Sequence, residues 1–226
     1  MSALLAVETS GSLCSLAVHV SGRWFEDTQN VERLHNRVVL ENLEKLTAAA
    51  GVGRNGFTAV AFGAGPGSFT GVRIAAALAQ GVAFASTAVV VPVRSSQALA
   101  KAAGGRAELP VGTRFLLTVS RSRRDAYYLA GYELLDSGAV ELRLEDRLYL
   151  GGEPPDDLPG ANWLGVGDVP PWWPADRPFL RSVIVTARVV GELALQRLAR
   201  GEGLPAALAL PVYVAGDSPW RPLDER

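Results

Sequence analysis

The chain has 226 residues, with 22 Lys and Arg against 23 Asp and Glu and a formal net charge of -1, which excludes a protein that grips nucleic acid through its overall field. Apolar residues make up 48% and charged residues 20%, the proportions of a globular chain with one large core or two small ones. One cysteine, Cys14, excludes a disulfide framework and a cysteine-cluster metal site, and two histidines, His19 and His35, are too few for an ordinary zinc enzyme.

Residues 4–8 read as a short apolar strand stopped by Thr9-Ser10-Gly11-Ser12. Strands over 14–20 and 23–28, joined at Ser21-Gly22, complete a three-stranded meander. Val39, Leu43, Leu46 and Ala50 share one stripe of a 3.6-residue period, a helix that Gly51 and Gly53 end. A buried-type strand over 59–62 runs into a glycine-rich segment, 63–71, then a helix over about 72–85 and a strand over 89–93. Strand, helix, strand predicts parallel pairing through a right-handed crossover. A helix over 95–103 leads to Gly104-Gly105, the expected boundary between a lobe of residues 1–104 and a smaller lobe of residues 105–226. Strands over 115–120, 125–132 and 140–144 repeat the opening meander, which hints at a duplicated architecture. Residues 151–178 are rich in Gly and Pro around one strand, 163–166, and 183–200 is the last long helix, placed to pack back on the first lobe. The class is α/β, with mixed sheets flanked by helices. No uninterrupted apolar run approaches the ~20 residues that span a bilayer, and the first ten residues lack a basic flank, so the expectation is a cytoplasmic protein without membrane contact.

Gly63, Gly65, Gly67 and Gly71 around Pro66 allow a tight reversal, and Ser68 or Thr70 can cap the following helix. A loop at a helix N-terminus can cradle an anion. The phosphate-loop pattern, however, needs a lysine that is missing, and the dinucleotide fingerprint needs glycine where Ser68 stands. Taken alone the segment is a structural turn. In the helix behind it, Ala75, Ala76, Ala77, Ala79, Gly81, Ala83 and Ala85 let a neighbour approach closely, either its own sheet or a second chain. Glu8-Thr9-Ser10 sets a carboxylate and two hydroxyls at a strand end, a polar turn or a metal-and-phosphate arrangement. Cys14 sits in an apolar strand, and no serine lies in a nucleophile elbow. Arg121, Arg123 and Arg124, followed by Tyr127 and Tyr128, read as a solvated hairpin tip or as a place for RNA phosphates and bases. Trp172 and Trp173, in a proline-rich loop, are either buried against their own lobe or an exposed binding patch.

Glu8-Thr9-Ser10, Leu34-His35-Asn36 opening a helix, and the run GAGPGSFTGVRI from Gly63 to Ile74 together resemble the TsaB (YeaZ) family. Gln80-Gly81-Val82-Ala83 and Val91-Pro92-Val93-Arg94-Ser95-Ser96 continue the resemblance, and Asp125-Ala126-Tyr127, Gly165-Val166-Gly167-Asp168 and Pro211-Val212-Tyr213 extend it more thinly. It implies an actin-like, sugar-kinase-like fold of two ribonuclease-H-like lobes and a part in making threonylcarbamoyladenosine in transfer RNA. It further implies a non-catalytic partner of a related transferase, TsaD, joined by an ATPase, TsaE, with tRNA met only through the complex. Pairing is implied through the first two helices, about 35–50 and 70–85, with TsaD or with a second copy as a homodimer. The implied interface takes in His35, Val39, Leu43, Phe69, Thr70, Arg73, Ala76, Ala77 and Gln80. Glu8, Thr9 and Ser10 are left as a vestigial phosphate-binding group, with no metal and no cofactor beyond weak ATP or ADP binding in the cleft or at the complex interface. Three departures suit a scaffold: Glu8 stands where the family has Asp, the second-lobe Asp-Ala-Arg run is displaced within 120–127, and a Leu-Arg continuation after Tyr213 is missing. The alternative is an ATP-dependent phosphotransferase or hydrolase that uses the cleft between the lobes, with Glu8 and Thr9 near phosphate and metal.

Overall fold

The computed structural model describes residues 2–31, 35–53, 55–123, 125–158, 160 and 162–214, without the side chain of His35. Strand β1 (Ala3–Glu8) is buried along its whole length. It pairs antiparallel with β2 (Leu13–Val20), which pairs antiparallel with β3 (Arg23–Asn30). On its other side lie β4 (Ala59–Gly63) and β5 (Val89–Val93), both parallel, so the order is β3-β2-β1-β4-β5. Leu5, Val7, Val60 and Phe62 face a core shared with α1 (His35–Ala50) and α2 (Phe69–Ser86). Leu4, Ala6, Ala59 and Ala61 face the opposite core, closed by α4 (Ala187–Leu198). Burial on both faces is why these strands read as unbroken apolar runs.

The second sheet repeats this plan. Strands β6 (Phe115–Arg123), β7 (Ala126–Leu134) and β8 (Val140–Leu150) form an antiparallel meander, and β9 (Trp163–Gly167) and β10 (Phe179–Arg181) add in parallel beyond β6. The order β10-β9-β6-β7-β8 is the first sheet's order read from the other edge. Two ribonuclease-H-like lobes in one chain make the actin-like, sugar-kinase-like fold. Helix α3 (Ser95–Gly104) bridges them: Ala98 joins the α4 side of the first sheet, while Leu99, Ala100 and Ala103 enter the core of the second. The far face of the second sheet has Trp172 and Trp173 over it in place of a helix, both buried with Leu117, Val119 and Leu129. Tyr127 and Tyr149 meet the Trp172 ring edge-on at 6.1 and 5.5 Å. The proline-rich loop is thus core, not an exposed patch.

Several elements differ from expectation. Ser68 caps α2, its hydroxyl accepting from Gly71 N at 3.3 Å, so the helix starts at Phe69. Strand β8 continues to Leu150 past an irregular register around Gly131 and Leu144. Its outer half carries Glu145, Asp146 and Arg147, charges suited to a sheet edge and unlike a buried strand. Strand β10 was not foreseen, being three residues behind Pro178. Helix α4 begins at Ala187: Ser182 takes a left-handed φ of 57°, and the β-branched run Val183-Ile184-Val185 lies outside any regular element. By length and apolarity alone, α2 is the one helix among the described residues that could cross a bilayer. Here Ala75, Ala76, Ala79 and Ala83 pack it onto the first sheet.

After α4 the chain runs back beside α2 as a strap, 204–214. Leu204 bridges Val90 on β5, a 3-10 turn follows at Ala206–Leu208, Gln80 Nε2 donates to Ala209 O at 3.0 Å, and Val212 N donates to Ala64 O at 2.8 Å.

Candidate functional site

Two places concentrate chemistry-bearing residues: the crevice where β1 ends, and the outer face of α1 and α2. In the crevice Glu8, Thr9 and Ser10 lie bedded on the glycine-rich segment. A Cβ on Gly63 would stand 1.9 Å from Glu8 Oε2, and one on Gly71 would stand 1.9 Å from Thr9 O, so both glycines are dictated by close approach. Thr9 Oγ1 donates to Gly71 O at 2.7 Å, and Ser68 N donates to Ser10 O at 2.8 Å. Gly65 N donates to Ser95 Oγ at 3.2 Å, and Ser95 Oγ donates to Ser10 Oγ at 3.2 Å. With the N–H groups of Gly65, Ser68 and Gly71 engaged inside the protein, the loop holds a turn in place and does not offer these amides to an anion.

Glu8 is 2% exposed. Burial pushes its carboxyl above the usual range, against an opposing pull from its hydrogen bonds with Ser10. Its Oε1 accepts from Ser10 N at 2.5 Å, while Oε2 has no hydrogen-bond partner. The second lobe echoes this arrangement: Asp168 Oδ2 accepts from Arg121 N at 2.8 Å, and Gly167, at the place in β9 that Gly63 holds in β4, lets Val119 O approach closely. Between them is a cavity of about 340 Å³ lined by Glu8, Ser10, Ser95, Ser120, Arg121 and Asp168 among others. Arg121 is its only cationic lining residue among the described residues. A magnesium nucleotide, which this fold implies, needs a carboxylate free to reach the ion and positive charge around the phosphates. The crevice holds two acids, the buried Glu8, whose Oε1 is tied to its own turn, and the exposed Asp168, whose Oδ2 accepts from Arg121 N; with Arg121 the one cation among the described lining residues, the set is too poor in positive charge to fit the phosphates of that group. Among the described residues no three His, Cys, Asp or Glu side chains cluster to hold a metal. Cys14 is buried, and burial first, then the charge of Asp27, pushes its thiol up to about 11, the opposite of an activated nucleophile.

The outer face is organised differently. Val39 and Ala76, expected at an interface, are buried in the chain's own core, since the period that makes these segments helical also turns those positions inward. Leu43, Arg73 and Gln80 are half-buried, and Phe69, Thr70 and Ala77 are exposed. His35 opens α1, and its side chain lies outside the described residues. Thr70, Ala77, Gly81 and Phe84 form the outward stripe of α2, with Phe84 85% exposed, and Leu40 is exposed on α1. Sequence reading missed Phe84 and Leu40. The available signal was position: Phe84 falls on the face opposite Val72, Ala75 and Ala79.

Residues 28–142, just over half of the chain, match the model of the family described as TsaD, tRNA N6-adenosine threonylcarbamoyltransferase. YeaZ from Pseudomonas aeruginosa superposes with a TM-score of 0.80 and 33% identity over 95% of this chain and 100% of that one. The chain belongs to the TsaB (YeaZ) family. The Haemophilus influenzae protein named tRNA threonylcarbamoyladenosine biosynthesis protein TsaB is 41% identical over 100 residues, which span 44% of this chain and 42% of that relative. Its Escherichia coli namesake is 26% identical over 97% of each chain. Within this TsaB-family chain the β6–β7 hairpin exposes Arg121 and Arg123, while Arg124 lies outside the described residues. Tyr127 and Tyr128 are buried, so these two rings offer no platform for bases beside those arginines.

Proposed function

We propose that this chain serves the formation of threonylcarbamoyladenosine in tRNA as a docking partner that performs no bond chemistry itself. It pairs with a TsaD-like transferase through the outward face of α1 and α2, joins a TsaE-like ATPase in the same assembly, and meets tRNA only through the complex. Alone, it pairs with a second copy through the same face. The setting is the cytoplasm, with no membrane partner and no cofactor of its own.

The observation that carries this reading is the contrast between the two places. A large aromatic, Phe84, stands almost fully open beside Ala77 and Gly81, where small side chains leave room for a neighbouring helix. The crevice, by comparison, engages the hydroxyls of Thr9, Ser10 and Ser95, the amides of Gly65 and Ser10 and one oxygen of Glu8 in bonds within the protein. The phosphotransferase alternative draws on the fold alone, and fold does not dictate function.

Mixing the purified chain with the transferase, read by light-scattering mass, tests the proposal. A Cβ at Gly81 would meet nothing within 4 Å, so Gly81→Arg leaves the fold intact and places a charged chain in the contact. The native chain forms a stable complex and the variant does not. A Gly81→Arg chain that still forms the complex overturns the placement.

A further inference from the structure

Beyond the two helices, the strap carries an apolar surface of its own. Ala209 and Val214 are buried, while Leu208, Leu210 and Tyr213 are 59%, 59% and 64% exposed. Three anchors fix the segment in place, the bridge of Leu204 to Val90, the hydrogen bond from Gln80 to Ala209, and that from Val212 to Ala64. At its upper end Arg73 joins strap to helix. The guanidinium carbon lies 3.3 Å from the Phe69 ring centroid and 5.2 Å from that of Tyr213, and Nη1 donates to Phe69 O at 2.9 Å. An arginine over two exposed aromatic rings, Phe69 at 48% and Tyr213 at 64%, is a preordered surface of the residue types that dominate protein contacts.

We infer that the strap is the second half of the docking surface, with the Phe69–Arg73–Tyr213 stack as its anchor, and that its occupant is the TsaD-like chain. This rests on the proposed pairing through α1 and α2. Phe69, Leu208, Leu210 and Tyr213 together leave on the order of 400 Å² of side-chain surface open, about half of the ~800 Å² that each partner brings to a standard interface. The outward stripe of α2, led by the 85% exposed Phe84, adds to that area. The halves are continuous, because Phe69 and Arg73 belong to α2 and touch the strap through Tyr213.

The test measures the affinity of the full chain for the purified transferase by calorimetry, for Tyr213→Ala, Tyr213→Phe, Leu208→Ser/Leu210→Ser and Gly81→Arg, each checked for an unchanged melting profile. Tyr213→Ala weakens binding about 30-fold. The double serine variant weakens it comparably, and Tyr213→Phe, which keeps the ring over Arg73, binds like the native chain. Strap variants that bind normally while Gly81→Arg abolishes the complex overturn the strap and leave the helix pairing standing. If Gly81→Arg binds normally as well, the pairing itself fails and takes the strap with it. Loss of self-association with transferase affinity unchanged overturns the choice of occupant.

Discussion

Replacing Phe84 with alanine separates a residue that serves the fold from one that serves a partner. The side chain is 85% exposed, so the isolated protein derives little from it. An aromatic side chain offers about 200 Å², which leaves about 170 Å² to be covered and, at about 25 cal/mol per Å², about 4 kcal/mol of transfer free energy. Alanine keeps a methyl and the partner relaxes partly into the gap, so about 2–3 kcal/mol is lost, a complex about 30- to 150-fold weaker. The isolated chain moves the other way or not at all: surface changes stay within about 0.5 kcal/mol, and alanine favours the helix by up to about 0.7 kcal/mol. Urea denaturation of the free chain and calorimetry against the transferase read the two effects separately. Native affinity for the transferase refutes the placement of Phe84, and a loss above about 1 kcal/mol in the free chain refutes the claim that it packs on nothing.

Two further expectations concern the crevice. Gly71→Ala drives a methyl to 1.9 Å from the Thr9 carbonyl oxygen, a backbone atom that cannot swing aside. Urea denaturation therefore shows a loss of about 3 kcal/mol, at the top of the overpacking range, and a loss below about 1 kcal/mol sinks the bedding role of that glycine. Glu8→Gln bears on pH: burial holds the folded-state pKa above the ordinary 4.5, so the folded chain keeps this proton longer than the unfolded one. The stability it lends is complete below pH 4.5 and is lost as pH rises through the folded-state value. Thermal melts across pH should show native and Gln chains alike in acid, with the Gln chain gaining relative stability as pH rises; a Gln chain that falls further behind with rising pH shows an ionised, paired Glu8.

The strands of the first lobe were legible because burial on both faces writes them as apolar runs between turn residues. The helix stripe Val39, Leu43, Leu46 and Ala50 was equally plain, but assigning part of it to an interface conflicted with its own meaning, since a regular apolar stripe marks the core side. The glycine string was conspicuous as a motif and silent as to cause. What dictates Gly63 and Gly71 is the approach of Glu8 and Thr9, more than 50 positions away, and such distant pairing leaves no local trace. Strand β10 and the strap were missed for a related reason. Three residues show no period, and Leu208, Leu210 and Tyr213 gain meaning only once the chain is laid beside α2. Trp172 and Trp173 show the same limit, because one loop can cover a sheet or face solvent, and only the open face of the second sheet decides.

The rate of threonylcarbamoyl transfer to tRNA by the TsaD-like transferase, supplemented with native, Glu8→Gln or Gly81→Arg chain, bears most directly on the division between an inert crevice and a working outer face. Full stimulation by Glu8→Gln and none by Gly81→Arg is the predicted result. The reverse pattern, with the crevice variant inactive while still bound to the transferase and the helix variant fully active, contradicts it.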